Sequence, residues 1–155
     1  MSLVEFFGPQ ILTTKGLAPT DEALSGKKVI ALYFAGYWCP PCRRFTPIVS
    51  RMHEDIVEEH SDIEFVFISY DRDHTQFDDY WGDYMTFPAL PYEARDKKTE
   101  LGKRFNITSI PTLIFLDADT KKIITTSGVE LVESGIDEQD YVRSIRTALG
   151  LDVVP

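Results

Sequence analysis

The sequence predicts an α/β domain with a central mixed β-sheet and helices on both faces. Three observations carry this. Val29-Ile30-Ala31-Leu32-Tyr33-Phe34 and Ile63-Glu64-Phe65-Val66-Phe67-Ile68-Ser69 are short, largely apolar runs of the kind formed by strands covered on both faces. A helical pattern lies between them, so the two strands should run parallel through a right-handed crossover. Beyond Pro111 the period changes once more, and two strand-like runs around a turn-forming pentapeptide add an antiparallel pair to the sheet.

The elements follow in order. About 27 residues precede the first apolar run, enough for an edge strand and a turn. After the Val29–Phe34 strand, Phe45, Val49, Met52 and Ile56 recur at helical spacing up to about Glu59. Pro47 should kink that helix, because its nitrogen cannot donate to the carbonyl near Arg43. Past the second strand, Thr75 with Asp78 three residues on resembles a capping box. Phe77, Tyr80, Trp81 and Tyr84 then share one face of a helix that packs on the sheet. A loop through Phe87-Pro88-Ala89-Leu90-Pro91 leads to a short helix around Lys97 to Phe105, with Asn106 as a left-handed stop. Thr112–Leu116 and Lys122–Thr126 form the hairpin around Asp117-Ala118-Asp119-Thr120-Lys121. A last helix carries Tyr141, Ile145 and Leu149, with Asp137 as cap and Gly150 as stop. No repeat or linker interrupts this order, so residues 1–155 are expected to form one domain.

Composition narrows the function. Twenty-five acidic against sixteen basic residues give a net charge of -9, which argues against nucleic acid as a partner. The first residues lack the basic start and apolar run of a signal peptide, and no segment approaches the roughly 18 apolar residues of a membrane span. A cytoplasmic protein without membrane contact is expected. In that reducing setting the two cysteines of the chain, Cys39 and Cys42, point to redox or metal chemistry rather than to a structural staple.

Zinc would need four ligands, and only His53, His60 and His74 remain as partners. His53 and His60 lie about 10 Å apart along one helix, too far to share an ion with the cysteines, so no metal is expected. The redox reading uses position instead. Cys39 follows a central strand and opens a helix, where free N–H groups and the helix dipole favour a thiolate. With Cys39 as N-cap, Pro40 and Pro41 take the first two helical positions, where an N–H would lack a partner in any case. The Cys42 N–H is then the nearest amide able to donate to the Cys39 sulfur, and the prolines hold the two sulfurs close, which favours the disulfide. Arg43, four residues past Cys39, either supports that thiolate or is a solvated arginine. Trp38 either shields the disulfide and offers an apolar contact to partners or is simply packed.

These residues resemble a known family. Trp38-Cys39-Pro40-Pro41-Cys42-Arg43 after an apolar strand, with Ser109-Ile110-Pro111-Thr112-Leu113-Ile114 about seventy residues later, is similar to the tryparedoxin and nucleoredoxin branch of the thioredoxin superfamily. The likeness spans roughly Gly26 to Val132 and includes Ser25-Gly26-Lys27, Phe45-Thr46-Pro47, Tyr70-Asp71-Arg72 and Ala89-Leu90-Pro91-Tyr92. It implies a thioredoxin fold, a cis Ile110–Pro111 bond facing the cysteines, and a substrate segment that pairs with the backbone before Pro111, making Ile110 a substrate contact.

The chain differs from thioredoxins in one respect, which tryparedoxin-like proteins share, and from tryparedoxins in a second. Tyr33 stands six positions before Cys39, where thioredoxins have a buried acid. A phenol with a pKa near 10 is a poor base at neutral pH, so the Cys42 proton must leave by another route. Tryparedoxins, which trypanothione reduces, carry basic residues after the Thr-Thr of the final hairpin, whereas here Ser127-Gly128-Val129 follow. Their acidic pair after the second strand is Arg72-Asp73 in this chain, and the tryptophan before it is Tyr70. Both changes lean toward nucleoredoxin. The resemblance implies a thiol-disulfide oxidoreductase without organic cofactor, in which Cys39 attacks and Cys42 resolves. Its partners would be disulfide-containing clients such as a peroxidase or peroxiredoxin, with electrons from trypanothione, glutathione or a reductase. The alternative is a redox-regulated binding module that uses the same cysteines to hold a signalling partner.

Overall fold

The structure, a computed structural model, describes residues 1–151. The chain opens with α1 (Leu3–Phe7), β1 (Gln10–Thr13), β2 (Gly16–Pro19) and α2 (Thr20–Ala23). The central part follows as β3 (Val29–Ala35), α3 (Pro40–Glu59), β4 (Ile63–Ser69), α4 (His74–Tyr84) and α5 (Arg95–Arg104). The chain closes with β5 (Thr112–Asp117), β6 (Ile123–Thr125), α6 (Gly128–Gly135) and α7 (Tyr141–Ala148). The main sheet has the order β4-β3-β5-β6. β3 runs parallel to β4 and antiparallel to β5, and β5 runs antiparallel to β6.

All seven residues of β3 are buried, so this strand feeds both faces of the sheet. Ala31, Tyr33 and Ala35 point to one side, where Phe45, Val49, Met52 and Ile56 of α3 pack with Phe77 and Tyr80 of α4, Val132 of α6 and Ile145 of α7. Ile30, Leu32 and Phe34 point to the other, against Phe6 and Phe7 of α1, Leu24 at the end of α2, and Leu101 of α5. The alternation follows from the period of two along a strand. Helices therefore cover both faces of a mixed sheet, as expected from the sequence.

Several local expectations are corrected. The N-terminal region is more than an edge strand and a turn: it holds two short helices around the β1–β2 hairpin, and a Ser2–Glu5 capping box starts the first. The 87–91 segment behaves as a one-residue strand rather than a plain loop. Ala89 bridges Leu12 on one side and Phe67 on the other, tying the hairpin to the edge of the main sheet. Pro47 lies inside α3, as the sequence places it. Asp73, not Thr75, caps α4, its carboxylate accepting the Gln76 N–H at 2.8 Å. Asp140 in a left-handed conformation, not Asp137, precedes α7. Helix α6 has no counterpart among the expected elements. Asn106 adopts a positive φ of 51°, the left-handed stop anticipated for α5.

This topology gathers three chain segments at one end of the sheet. Ala35 pairs with Ser69, and Tyr70 N–H donates to Ala35 C=O at 2.8 Å, so β3 and β4 end side by side. Because β5 runs the other way, its first residue, Thr112, pairs with Phe34 at that same end. Residues 36–39, 70–73 and 109–111 are thereby neighbours. Ligands of open α/β sheets usually bind outside the carboxyl ends of the strands, where these segments meet.

Candidate active site

Cys39 is the N-cap of α3, with extended backbone, and its sulfur accepts the Cys42 N–H at 3.3 Å. Pro40 and Pro41 occupy the first two helical positions. Both cysteines are thiols in this structure. Cys39 keeps 5% of its surface exposed whereas Cys42 keeps none, so a partner disulfide can reach only the first sulfur. Burial, with the Cys39 sulfur and the charge of Asp71 adding to it, pushes the Cys42 thiol up to about 12, against the pull of the Gly36 N–H. At neutral pH Cys42 holds its proton.

Across from this pair the Ile110–Pro111 peptide bond is cis, as the resemblance implied. The Cys39 thiol points at the Ile110 carbonyl, 3.8 Å away. Ile110 and Pro111 are half-buried, and Pro111 lines a shallow groove of about 330 Å³ together with Pro41, Arg44, Phe45, Ile48, Val129 and Glu133.

Tyr33 lies beneath the cysteines, fully buried. Its hydroxyl shares a 2.7 Å hydrogen bond with Thr46 Oγ, which also meets the Tyr80 hydroxyl and donates to Cys42 C=O at 2.8 Å. Burial raises the Tyr33 phenol far above its usual range, and the Tyr80 hydroxyl beside it adds to the effect. Tyr33 is thus a neutral core residue that braces the first turn of α3, and it has no basic character at working pH.

Trp38 and Arg43 occupy the rim. The Trp38 indole is 40% exposed, and its N–H donates to Tyr70 C=O at 2.8 Å. Gly36 permits that fold-back, since a Cβ there would sit 2.8 Å from the indole nitrogen. The Arg72 guanidinium covers the Trp38 ring at 4.6 Å, and that of Arg43 lies over the Tyr37 ring at 5.8 Å. Arg43 therefore meets an aromatic face, while its backbone N–H donates to Cys39 C=O at 3.1 Å.

Sequence reasoning passed over Asp71 and Thr46 as working parts of the site. Asp71 is 5% exposed; one carboxylate oxygen accepts the Tyr37 N–H at 2.6 Å and the other the Ser69 hydroxyl at 2.6 Å. Burial raises its carboxyl above the ordinary range, opposed by those two bonds. It fixes the loop that carries Trp38 and Cys39. The available signal was its place two residues past a buried strand, where polar groups of α/β sheets do chemistry. The histidines weighed as metal ligands are engaged elsewhere: His53 bonds Thr86 and Glu64, and His74 lies between Asp78 and Glu93.

The model of the thioredoxin-like family matches residues 26–122. Tryparedoxin of Trypanosoma brucei brucei is 46% identical over 101 residues, covering 64% of this chain and 67% of the relative. Nucleoredoxin of Danio rerio is 33% identical over 134 residues, covering 84% of this chain but only 32% of the relative, so the chain spans about a third of that nucleoredoxin's length. Among solved structures, tryparedoxin II from C. fasciculata superposes with a TM-score of 0.80 at 34% identity, over 89% of this chain and 91% of the other. The same protein complexed with glutathionylspermidine also gives 0.80, at 33% identity, over 89% and 95%. The sheet order and the flanking helices are those of the thioredoxin fold.

Proposed function

The chain belongs to the thioredoxin-like family, and from that membership we propose that it reduces disulfides in client proteins by dithiol exchange through Cys39 and Cys42. It is a thiol-disulfide oxidoreductase of thioredoxin-like type, and the whole chain acts as one such domain. The observation that carries the proposed roles is the asymmetry of the two sulfurs, one slightly exposed at a helix N-terminus and the other fully buried and held as a thiol. Cys39 thiolate attacks one sulfur of the client disulfide, forming a mixed disulfide and expelling the other sulfur as a client thiolate. Cys42 then gives its proton to the expelled client thiolate, directly or through water, and attacks the Cys39 sulfur. The second client thiolate leaves, and an internal disulfide remains. Two electrons have passed to the client, and an external dithiol, two monothiols or a reductase restores the pair. Until the mixed disulfide forms, burial of Cys42 keeps it from competing as a nucleophile.

Ile110 supports client binding, since its carbonyl lies beside the Cys39 sulfur just before β5, where a client strand can pair with the backbone. Trp38 and Pro111 supply apolar contact on either side, and Pro40, Pro41 and Arg43 support the turn that presents Cys39. We assign a peroxidase or peroxiredoxin as the kind of client, and trypanothione, glutathione or a reductase as the electron source. Glutathionylspermidine is bound by the similar tryparedoxin II, which favours a small thiol for that role. We place the protein in a reducing, cytoplasmic setting, where a dithiol is maintained. Among the described residues no helix is long and apolar enough to cross a membrane.

The test is turnover. With excess dithiol the protein should reduce many equivalents of insulin or of an oxidised peroxidase, and a panel of trypanothione, glutathione and a reductase with its cofactor should single out the donor. The nucleoredoxin likeness at 33% identity supports a second reading, a redox-dependent binding module. One equivalent of partner released per protein on oxidation, without turnover under any reductant, would favour that module.

A further inference from the structure

We propose that Arg72, stacked on Trp38, with Arg43 over the adjacent Tyr37 ring, forms a cationic rim that makes the dithiol select disulfides flanked by carboxylates in the client protein. The inference rests on the oxidoreductase reading and adds the charge of the segment it prefers. The chain carries a net charge of -9, with 25 acidic residues available to its 16 lysines and arginines. Arg51 meets Asp55 and Arg146 meets Asp62, whereas the remaining arginines, Arg44, Arg95, Arg104 and Arg143 included, make no ion pair among the described residues. Arg43 and Arg72 are exposed and, among the described residues, neither has a carboxylate within ion-pair distance. Each instead lies over an aromatic ring of the loop leading into Cys39.

The acidic groups nearest Arg72 in sequence are engaged. Asp71 is buried, accepting the Tyr37 N–H and the Ser69 hydroxyl. Asp73 caps α4 through the Gln76 N–H, where the helix dipole offsets its charge. On the other side Asp79 acts on Tyr37, as Arg43 does, so Arg43 is the less free of the two guanidiniums. Arg72 is also held in place. The indole beneath it is pinned to Tyr70 C=O, and its own backbone N–H donates to the Gln76 side chain at 2.9 Å. A guanidinium stacked on an indole keeps its N–H edge open for a carboxylate, and its preset position lowers the entropy cost of a bidentate contact. Trp38 directly precedes Cys39, so residues beside a client disulfide that engages Cys39 come within reach of this edge.

The whole-molecule field makes the test sharp, because a net charge of -9 by itself favours basic clients. The probes are two short peptides, each a disulfide-linked dimer, identical except for Glu or Lys on both sides of the cysteine. The prereduced protein is mixed with each in single turnover, and the rate is divided by that of dithiothreitol on the same peptide to remove intrinsic reactivity. At an ionic strength of about 20 mM the Glu peptide should react roughly fivefold faster than the Lys peptide, and the ratio should fall toward one near 1 M salt, where screening acts over about 3 Å. Arg72→Gln should remove most of the preference, and because the readout is a ratio, a general loss of activity does not imitate the effect. Equal rates, or a faster Lys peptide, overturn the inference while leaving the oxidoreductase reading intact. A preference that persists unchanged in Arg72→Gln overturns the assignment to this residue. Failure to reduce either peptide sinks both the oxidoreductase reading and the inference built on it.

Discussion

Tyr33 and Cys42 occupy the same buried layer, and burial decides what each can do. The Tyr33 hydroxyl is hydrogen bonded and far too weak an acid to accept the Cys42 proton and pass it on. Tyr33→Phe should therefore keep disulfide reductase activity within a few fold at neutral pH, and should cost about 1 kcal/mol of stability through the lost bond to Thr46. Insulin reduction and denaturant titration on the same preparation check both parts; a hundredfold loss of activity with the fold intact would show that the hydroxyl takes part. At this scale the two thiols and the prolines between them were legible, because a proline pair after a cysteine admits few positions other than the start of a helix. Thr46 and Asp71 were not. Their importance comes from what they face, Tyr33 and Tyr80 for one and the Tyr37 amide for the other, and those contacts join residues 13 and 34 positions apart in sequence.

Helix α6 shows how a small residue can fix the angle between elements. A Cβ on Gly128, its first residue, would lie 2.4 Å from the Leu113 carbonyl oxygen in β5, a backbone atom that cannot yield without moving the strand. Gly128→Ala should push α6 off the sheet and cost about 2 kcal/mol or more, whereas Gly82→Ala, in an exposed turn of α4 with open space around it, should be neutral or stabilise by up to about 1 kcal/mol. Equal effects from the two substitutions, measured by thermal and urea unfolding, would contradict the packing argument. The expected elements omitted α6 because Gly128-Val129-Glu130-Leu131 has neither a strong cap nor a long apolar period, and Ser127 makes no capping bond. Tertiary contact with β5 forms this helix, and such contact is invisible to periodicity. The cap of α4 was misplaced for a related reason: Asp73 and Thr75 both suit an N-terminus, and only the path of the chain out of β4 selects the first. The long apolar runs of β3 and β4, in contrast, were read to within a residue, since burial on both faces writes itself directly into sequence.

Across the whole molecule, the C-terminal helix is tied to the sheet by a buried ion pair. Arg146 is 2% exposed and forms a two-pronged contact with Asp62, at 2.7 and 2.9 Å, just before β4. The Arg146 bonds hold the Asp62 carboxyl below its ordinary range, so this contribution is fully present above the unfolded value near 3.9 and is lost as pH falls through the lower folded value. Arg146→Met should cost about 2–3 kcal/mol at neutral pH, somewhat under the about 3–5 kcal/mol of a fully buried pair because Asp62 keeps some solvent access. It should also flatten the fall of stability with acid below about pH 4. An unchanged acid slope in urea titrations across that range would show that Asp62 draws its low value from elsewhere. The thioredoxin fold as a whole places the two sulfurs at the meeting of three segments, and it leaves only Cys39 within a partner's reach. The most direct measurement is to compare Cys39→Ser and Cys42→Ser after incubation with an oxidised client, alkylating quench and non-reducing electrophoresis. Cys42→Ser should accumulate a mixed disulfide that reductant dissolves, and Cys39→Ser should capture nothing; trapping by Cys39→Ser, or none by Cys42→Ser, would contradict the account.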